Sequence, residues 1–400
     1  MSSNIHVLGG RALPATIYLF IALTYFMLDS MGFNVYIIRV LYGLYYLLSV
    51  YYFIKVHVEG TLPKFIKALD LFLIVVAIYV IVDIIFNGFQ PLRTWGNADF
   101  LWWHVNAVVP LYSFYYFGKK NYLTNQWFPY VFIFCLITVY IMYVSNIQKV
   151  VETKNVDASE ITNNVGYIVV ALLPMTMFFS KSKIQQYICI GMVAVLTILS
   201  FKRGAVLCFV VSIAFFVLKA LGSRNKTSSI ARFGTLILTI IGLLLLYYFI
   251  EGLFQSSDYF VERVDSTIEG NSSRRNIIYG YYWDIYIHGD FVNIIFGRGV
   301  LATIHSTILG IEAHNDWLEY IFDLGIVGVL FYFRYWVIFI KEYFKSKRGD
   351  YQVSLALGII VITYLIRTMV SMSFYDMPFY SNIVLGYCIA MNSKNTNTVL

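Results

Sequence analysis

Charged residues are scarce in this chain. They make up 13% of its 400 residues, whereas hydrophobic residues make up 59% and aromatic residues 18%. A soluble globular domain carries about 25% charged residues, so this composition excludes an ordinary soluble protein. We therefore expect an all-α polytopic membrane protein, with a single integral membrane domain over residues 1–400.

Several chemistry-bearing motifs are also missing. The four cysteines lie far apart inside apolar runs, without CxxC or a Cys/His cluster, which argues against a disulfide framework and a zinc site. No Walker A loop, HExxH pair, nucleophile elbow, dinucleotide fingerprint or DxD occurs. The net charge of +7 comes from basic residues placed between apolar runs, so we expect no nucleic-acid partner. Any chemistry is expected to need neither metal nor cofactor.

Twelve apolar runs are long enough to cross a bilayer, which takes about 20 helical residues. They lie near 13–29, 34–54, 68–86, 100–117, 127–146, 163–180, 184–200, 204–220, 231–250, 315–340, 351–371 and 376–391. Three of these runs, the fourth, the sixth and the twelfth, are interrupted or delimited by Pro110, Pro174 and Pro378. The sequence therefore predicts about twelve transmembrane helices.

The distribution of basic residues predicts the orientation of these helices. With the N-terminus inside, most of the 29 lysines and arginines fall in inner segments, so both termini are expected in the cytoplasm. The segment 251–314, between the ninth and tenth runs, is then the one large external loop. Its apolar residues recur at helical spacing from Ile277 to Ile285, which predicts a short helix lying at the membrane surface. Gly289 and the turn 297–299 are expected to end or redirect that helix.

Six basic residues collect on the predicted outer face, which the positive-inside tendency disfavours. They are Lys202, Arg203, Arg263, Arg274, Arg275 and Arg298. An anionic partner would account for the cluster, and we interpret it as a site for a phosphate-bearing lipid donor. The alternative is that Lys202 and Arg203 anchor a helix end by reaching toward the lipid headgroups.

Individual residues of this face suit particular roles. Arg203 begins the eighth run, where free N–H groups and the helix dipole favour phosphate. The pair Arg274 and Arg275 can offer bidentate donors to a diphosphate, although lipid headgroups are an equal alternative. His314 precedes the tenth run, so its ring is expected at the outer membrane–water boundary, where it could take a proton from a sugar hydroxyl. A structural or solvated histidine is the alternative.

Two further arginines lie inside apolar runs. Arg39 falls one to two turns below the outer end of the second run, and Arg367 lies at a similar depth in the eleventh. Charges at that depth usually face a cavity or an ionic partner, and Asp83 is a carboxylate that could pair with one of them. We therefore include both arginines among the candidate substrate-binding residues.

These motifs together resemble the O-antigen ligase and polymerase family, which includes Wzy-type polysaccharide polymerases and WaaL-type ligases. The segment 200–205 (SFKRGA) looks like the family's Ser-x-x-Arg-Gly segment. The segment 313–319 (AHNDWLE) and the later 325–328 (GIVG) look like its His-Asn-x-x-Leu and Gly-x-x-Gly pattern. Between them, one of the two adjacent arginines and 296–299 (FGRG) match the Arg and Gly-rich positions of its large periplasmic loop. The resemblance covers residues 190–335, and Phe-Lys before Arg203 departs from the usual pattern.

The resemblance implies a GT-C-type fold and an inverting, metal-independent glycosyltransferase in the bacterial inner membrane. By that resemblance, Arg203 and one of Arg274 and Arg275 hold the pyrophosphate of an undecaprenyl-linked glycan at the periplasmic face. His314 then acts as general base on the acceptor hydroxyl. Undecaprenyl-diphosphate-linked donor and acceptor, membrane lipids and a chain-length regulator protein are the implied partners. Lys202, Arg39 and Arg367 complete the expected binding face.

Three functions remain open at this level. A polymerase would transfer a growing glycan onto the repeat unit of another lipid, and it is the function we favour. A ligase would transfer the glycan to lipid A core with the same residues. A flippase for lipid-linked oligosaccharides also has about twelve spans, but such transporters often show internal repeats and broken helices, and the sequence reveals neither.

Overall fold

The computed structural model describes residues 2–91, 95–154, 162–179, 183–222, 275–373 and 379–397, with a few isolated positions between 248 and 265. Over these ranges the chain is helical and contains no strand. The α-helices are α1 (Ser2–Ser30), α2 (Val35–Val58), α3 (Lys64–Asn87), α4 (Asn97–Lys119), α5 (Phe128–Lys154), α6 (Gly166–Val170), α7 (Lys183–Leu199), α8 (Arg203–Gly222), α9 (Arg275–Ile287), α10 (Phe291–Phe296), α11 (Ala302–His305), α12 (Asp316–Ser346), α13 (Tyr351–Val370) and α14 (Phe379–Asn397).

Seven helical segments of the described chain are long and apolar enough to cross a membrane. They are Ala12–Ser30, Val35–Val58, Lys64–Asn87, Asn125–Glu152, Arg203–Leu221, Asp316–Ser346 and Tyr351–Val370. Two shorter apolar segments, Gly166–Phe178 and Lys183–Leu199, accompany them. The protein is thus a helical, multi-pass membrane protein, as its composition predicts. The ninth predicted run, 231–250, lies outside the described residues, and the count of twelve stays a prediction.

Two of the prolines act differently on their helices. Pro110 lies inside α4, which continues through it from Asn97 to Lys119. Pro174 lies at the start of a 3-10 helix, Leu173–Phe178, which follows the short helix α6 of five residues. The sixth predicted span is therefore a short α-helix followed by a 3-10 helix, because proline removes a backbone donor and clashes with the preceding turn. Pro378 lies outside the described residues.

The described chain divides into two compact units. One unit comprises residues 1–47, 121–271 and 351–363. Within it α1 packs on α5, and the rings of Phe128 and Phe178 stack 4.3 Å apart. The start of α13 joins this unit through the hydroxyl groups of Ser212 and Thr363, which lie 3.1 Å apart.

The second unit comprises residues 48–120, 272–350 and 364–400. In it α4 and α14 pack closely at Gly386. A Cβ atom added to this glycine would lie only 2.7 Å from the Leu111 carbonyl oxygen. The helix α3 runs antiparallel to the later part of α12. Ring contacts of 5.2 Å between Phe65 and Phe339 and of 5.3 Å between Phe72 and Tyr332 fix this register.

The helix α12 is broken at Gly325, which has a φ of 64° and a ψ of −166°. We call the part before the break the short arm (Asp316–Leu324) and the part after it the long arm (Ile326–Ser346). Because the helix ends there, three carbonyl groups at the end of the short arm have no amide of the same helix to accept. Donors from other parts of the chain bind them instead. The oxygens of Phe322 and Asp323 accept the amides of Arg298 and Gly299 at 3.0 and 3.1 Å, and that of Leu324 accepts the Tyr79 hydroxyl at 2.7 Å.

The short arm folds back along the long arm. The Tyr332 hydroxyl donates to the Asp316 carboxylate at 2.7 Å, although these residues are 16 positions apart. In one straight helix that separation is about 24 Å. The ring of Tyr332 also lies 4.9 Å from that of Trp317 and 4.7 Å from that of Tyr320. The single straight span predicted over 315–340 is therefore two antiparallel helices.

This fold-back bears on the expected position of His314. The Tyr332 ring that contacts Asp316 also packs on Phe72, near the middle of the 24-residue helix α3. At about 1.5 Å per residue, Phe72 lies roughly 20 Å from the end of α3 at Asn87. The sequence predicts His314 at the outer end of a span. The structure places Asp316, two residues after His314, beside the middle of α3, because glycine at 325 lets the chain reverse. The predicted position of His314 relative to the membrane stays a prediction.

The predicted loop helix is present as α9, and it ends before Gly289 as expected. One face of α9 packs on protein: Tyr282 and Tyr286 are buried in a small core with Phe322 of the short arm. The α10 helix then leads into the turn at Gly297, which has a φ of 80°. A Cβ atom on Gly297 would lie 2.1 Å from the Asp323 carbonyl oxygen, so this close approach requires glycine.

Candidate functional site around His314

His314 is presented outward by two fixed neighbours. Its side chain is exposed and its backbone is left-handed, with a φ of 53°. On one side the Ala313 amide donates to the Glu319 carboxylate at 2.7 Å. On the other, the Asn315 side chain accepts the amides of Trp317 and Leu318 at 3.0 and 3.1 Å and so caps the short arm. The backbone that carries the imidazole is therefore held from both directions.

Glu319 ties this loop to the rest of the second unit. Its side chain is fully buried, and besides the Ala313 amide it accepts a short hydrogen bond from the Thr303 hydroxyl of α11. A buried carboxylate is tolerated where its oxygens accept strong hydrogen bonds, and both oxygens of Glu319 do so. The residue that ends the AHNDWLE segment thus fixes the loop on which His314 stands.

Arg275 is brought to the same place by α9. Arg275 is the first residue of that helix and is half-buried, and Tyr279 lies one turn later on the same face. The Tyr279 hydroxyl lies 3.3 Å from the His314 carbonyl oxygen and 3.1 Å from that of Met369. Burial raises the pKa of Tyr279, and the positive charge of Arg275 opposes that rise. One tyrosine therefore links the predicted base to a predicted diphosphate ligand.

Asn315 closes this group of residues. Its amide donates to the Met369 carbonyl at 3.2 Å, and its side chain also contacts the Tyr279 hydroxyl. The end of α13 is thereby joined to the loop that carries His314. A hydrogen bond of 3.0 Å between the Trp317 indole and the Thr368 hydroxyl reinforces the junction.

Arg367 lies behind the site. It is 2% exposed, and its guanidinium lies 5.6 Å from the Tyr364 ring centre. Asp316, which is 1% exposed, interacts electrostatically with it. The Asp316 carboxylate also accepts the Ser373 amide at 3.0 Å and the Ser373 hydroxyl. Arg367 thus belongs to a buried polar network under the His314 loop.

Asp83, the partner considered from the sequence, is engaged differently. It accepts the side-chain amides of Asn87 and Asn97 at 2.9 and 3.1 Å. These bonds join the end of α3 to the start of α4. The carboxylate with an electrostatic effect on Arg367 is Asp316, which the sequence analysis did not consider as its partner.

Lys202 and Arg203 belong to the other compact unit. Phe201 takes a left-handed φ of 50° in the turn between α7 and α8, and Arg203 is the half-buried first residue of the 20-residue α8. The Lys202 ammonium donates to the Asn164 side chain at 2.7 Å and lies 5.7 Å from the Tyr167 ring centre. Lys202 is therefore tied down within its own unit, while Arg203 occupies a helix N-terminus suited to an anion.

The turn that carries Arg203 is built by close packing. The Ser200 carbonyl accepts the Asn163 amide at 2.7 Å. A Cβ atom on Gly166 would lie 2.3 Å from the Ser200 hydroxyl oxygen, so glycine is required there. Ser200, the first residue of the SFKRGA segment, therefore has a structural role.

The other predicted residues either have surroundings of their own or lie outside the described ranges. Arg39 is exposed on α2 among the exposed side chains of Tyr36, Ile37 and Val40. Arg298 turns back onto protein, donating to the Ile285 carbonyl at 3.2 Å. Arg263 and Arg274 are outside the described residues. Within the second unit, two predicted binding residues are linked to the His314 loop: Arg275 through Tyr279, and Arg367 through Asp316.

The sequence analysis did not recognise that three carboxylates of the short arm form a group. Asp316, Glu319 and Asp323 are spaced by three and four residues, which places them on one helix face, and each is at most 1% exposed. Asp323 accepts the amides of Leu301 and Thr303 at 2.9 and 3.3 Å. Carboxylates that recur on one helix face inside an apolar run indicate that this face packs on protein and not on lipid.

The described residues contain no group of three or more histidine, cysteine, aspartate or glutamate side chains able to hold a metal ion. The short-arm carboxylates instead accept hydrogen bonds from amides and hydroxyl groups. Compared with known proteins, the chain matches no family model, and a search of curated proteins gives no significant match.

Proposed function

We propose that this protein is an inverting, metal-independent glycosyltransferase of the bacterial inner membrane. It polymerises repeat units carried on undecaprenyl diphosphate, as the resemblance to O-antigen polymerases suggests. The proposal includes a GT-C-type fold of about twelve spans, cytoplasmic termini and a site open to the periplasm. The observation that supports it is the exposed His314, whose carbonyl oxygen contacts the Tyr279 hydroxyl one turn after Arg275 at the N-terminus of α9.

The reaction follows from this arrangement. The His314 imidazole takes the proton of an acceptor sugar hydroxyl, whose oxygen attacks the anomeric carbon of the donor glycan. A new C–O bond forms as the bond from that carbon to the diphosphate oxygen breaks, which inverts the configuration. Charge grows on the leaving lipid diphosphate, and one of Arg274 and Arg275 stabilises it, with Arg203 as the second arginine that the resemblance implies. No metal is required for this charge balance.

The hydrogen bonds around His314 support a role as a base. A catalytic group must hold its geometry within a fraction of an ångström, which requires rigid neighbours. The capped short arm and the buried Glu319 supply that rigidity on both sides of the histidine. A merely solvated surface histidine would need neither bond.

Reconstitution with lipid-linked repeat units alone tests the proposal. We expect the wild-type protein to form long glycans without any lipid A core, and His314→Ala to form none. His288→Ala is the matched control, because His288 is an exposed histidine at the end of α9. Undiminished elongation by His314→Ala would contradict the proposed chemistry.

The same assay separates the other functions. Transfer that occurs only after lipid A core is added would identify a ligase. Loss of the protein should trap the lipid-linked substrate on the outer leaflet, whereas accumulation on the inner leaflet would indicate a flippase. A chain-length regulator, if it is a partner, should alter the length distribution of the product without being needed for elongation.

A further inference from the structure

One face of the long arm combines apolar and basic side chains. The exposed residues of this face are Ile326, Leu330, Phe333, Arg334 and Lys341. Their spacing of three, four and seven residues aligns them in a single stripe along the helix. Leu330 and Phe333 are 60% and 55% exposed, so described protein leaves the apolar part of the stripe largely uncovered. We call this stripe the basic face.

Arg334 lies deep in the membrane-spanning part of the helix. The contact between Phe65 and Phe339 sets Lys64, where α3 begins, close to the level of Lys341. Lysines at this level suit the border of the hydrocarbon region. Arg334 lies seven residues beyond Lys341, which is about 10 Å further along the axis. The backbone of Arg334 therefore lies in the apolar zone, and its long side chain can extend toward the border near Lys341, where lipid phosphates lie.

Neither Arg334 nor Lys341 has an ionic or hydrogen-bonded partner within the part of the chain that the structure describes. The next lysine of the same helix, Lys345, does have one, since it pairs with Glu342 at 3.7 Å. A charged side chain at such depth is costly unless it meets an anion or water. The basic face thus has two cations whose counter-ion must come from outside the described chain.

This face is distinct from the His314 site. Tyr332 points toward Asp316 and the short arm, with its hydroxyl 2.7 Å from the carboxylate. Arg334 is two residues further on, which is about 200° around the helix axis. It therefore projects from nearly the opposite side of the long arm, and a ligand bound there would not contact His314.

We propose that the basic face binds the phosphate of an anionic phospholipid. The Arg334 guanidinium offers two parallel N–H donors to the phosphate oxygens. Side chains of a helix lean toward its N-terminus, so Lys341 reaches toward Arg334 and adds a second positive charge. The exposed Leu330 and Ile326 continue the stripe toward the middle of the membrane, where an acyl chain lies against them. This site does not depend on the proposed glycosyltransferase activity.

Native mass spectrometry of the full-length protein tests the site. The protein is titrated with phosphatidylglycerol or with phosphatidylcholine of the same acyl chains. We expect preferential binding of phosphatidylglycerol, and a loss of about tenfold in its affinity for Arg334→Gln, as removal of a charge-assisted hydrogen bond predicts. Lys341→Gln should weaken binding less, and Arg334→Lys should retain part of it.

Arg348→Gln is the matched control, because Arg348 is an exposed arginine just beyond the end of α12. Its affinity for phosphatidylglycerol should equal that of the wild type. Equal binding of the two lipids, or unchanged binding by Arg334→Gln, would overturn the proposal. Displacement of the lipid by inorganic phosphate at comparable concentration would also overturn it, since the apolar stripe would then contribute nothing.

Discussion

Substituting Gly325 by alanine should disrupt the reversal that brings the short arm against the long arm. Gly325 has a φ of 64° and a ψ of −166°, a region that essentially only glycine adopts and that costs another residue about 1–3 kcal/mol. An added Cβ atom would also lie 2.4 Å from the Gly297 nitrogen and 2.5 Å from the Ile295 carbonyl oxygen. Both contacts are with backbone atoms, so no side-chain rotation can relieve them.

The magnitude follows from the contacts that must shift. Overpacking against backbone costs about 1–3 kcal/mol. Moving the 297–299 turn also weakens the two hydrogen bonds from Arg298 and Gly299 to the short arm, each worth about 1 kcal/mol. With the backbone strain included and both hydrogen bonds lost, we expect Gly325→Ala to lower the free energy of unfolding by about 4–8 kcal/mol. That is a large part of the stability of an ordinary domain.

Equilibrium unfolding of the purified protein in mixed micelles measures this loss, with helical circular dichroism as the signal. Gly280→Ala is the control, because Gly280 lies inside α9 with no atom within 4 Å of an added Cβ. That substitution should be neutral or stabilise the protein by up to about 1 kcal/mol, since alanine favours helix. If Gly325→Ala changed stability by no more than Gly280→Ala does, the fold-back geometry would be refuted.

Three further substitutions address the polar groups. Glu319→Gln should cost about 1–2 kcal/mol and slow elongation, because the charge-assisted hydrogen bonds to Ala313 and Thr303 become weaker neutral ones. Unfolding and turnover together measure this, and unchanged turnover would separate Glu319 from His314. Asp316→Asn should cost about 1–3 kcal/mol, because an amide in place of the carboxylate cannot accept all of the hydrogen bonds from Tyr332 and Ser373. An unfolding change below about 0.5 kcal/mol would show that these bonds are not important for stability. Arg203→Lys should shorten the glycan product, because an ammonium group cannot form the bidentate contact with a diphosphate. Near-normal chain lengths on a gel would show that Arg203 only anchors the end of its helix.

Composition alone predicts the helical membrane architecture, because few other structures satisfy backbone hydrogen bonds in hydrocarbon. The loop helix from Arg275 and its end before Gly289 also follow from apolar spacing and glycine position. The reversal at Gly325 could not be predicted from the sequence, because a straight helix and a broken one can have the same apolar pattern. The first glycine of the GIVG segment, Gly325, is where the helix breaks. The sequence alone does not show this, because the break depends on close packing against Gly297, which is distant in sequence and adjacent in space.

The site residues show the same limit. Local sequence indicates His314 and Asn315, because a helix N-cap and a nearby carboxylate are short-range features. The link from His314 to Arg275 runs through Tyr279, which belongs to a segment 35 residues earlier in the chain. Arg203 and Lys202 lie in a different compact unit from His314. A gathering of all the predicted arginines around His314 therefore stays a prediction.

The depth of the His314 loop bears on how the proposed reaction would gain its rate. The loop is non-helical backbone level with the middle of α3, and such backbone is tolerated in a membrane only where protein or a water-filled cavity surrounds it. Glu319, Asp316 and Asn315 supply that surrounding by binding Ala313, Ser373 and the first turn of the short arm. A guanidinium in such a region acts on a diphosphate more strongly than it would in water, because the effective dielectric constant is lower. In the proposed reaction the negative charge must therefore develop on the side of Arg275, because the buried carboxylates of the short arm would repel it.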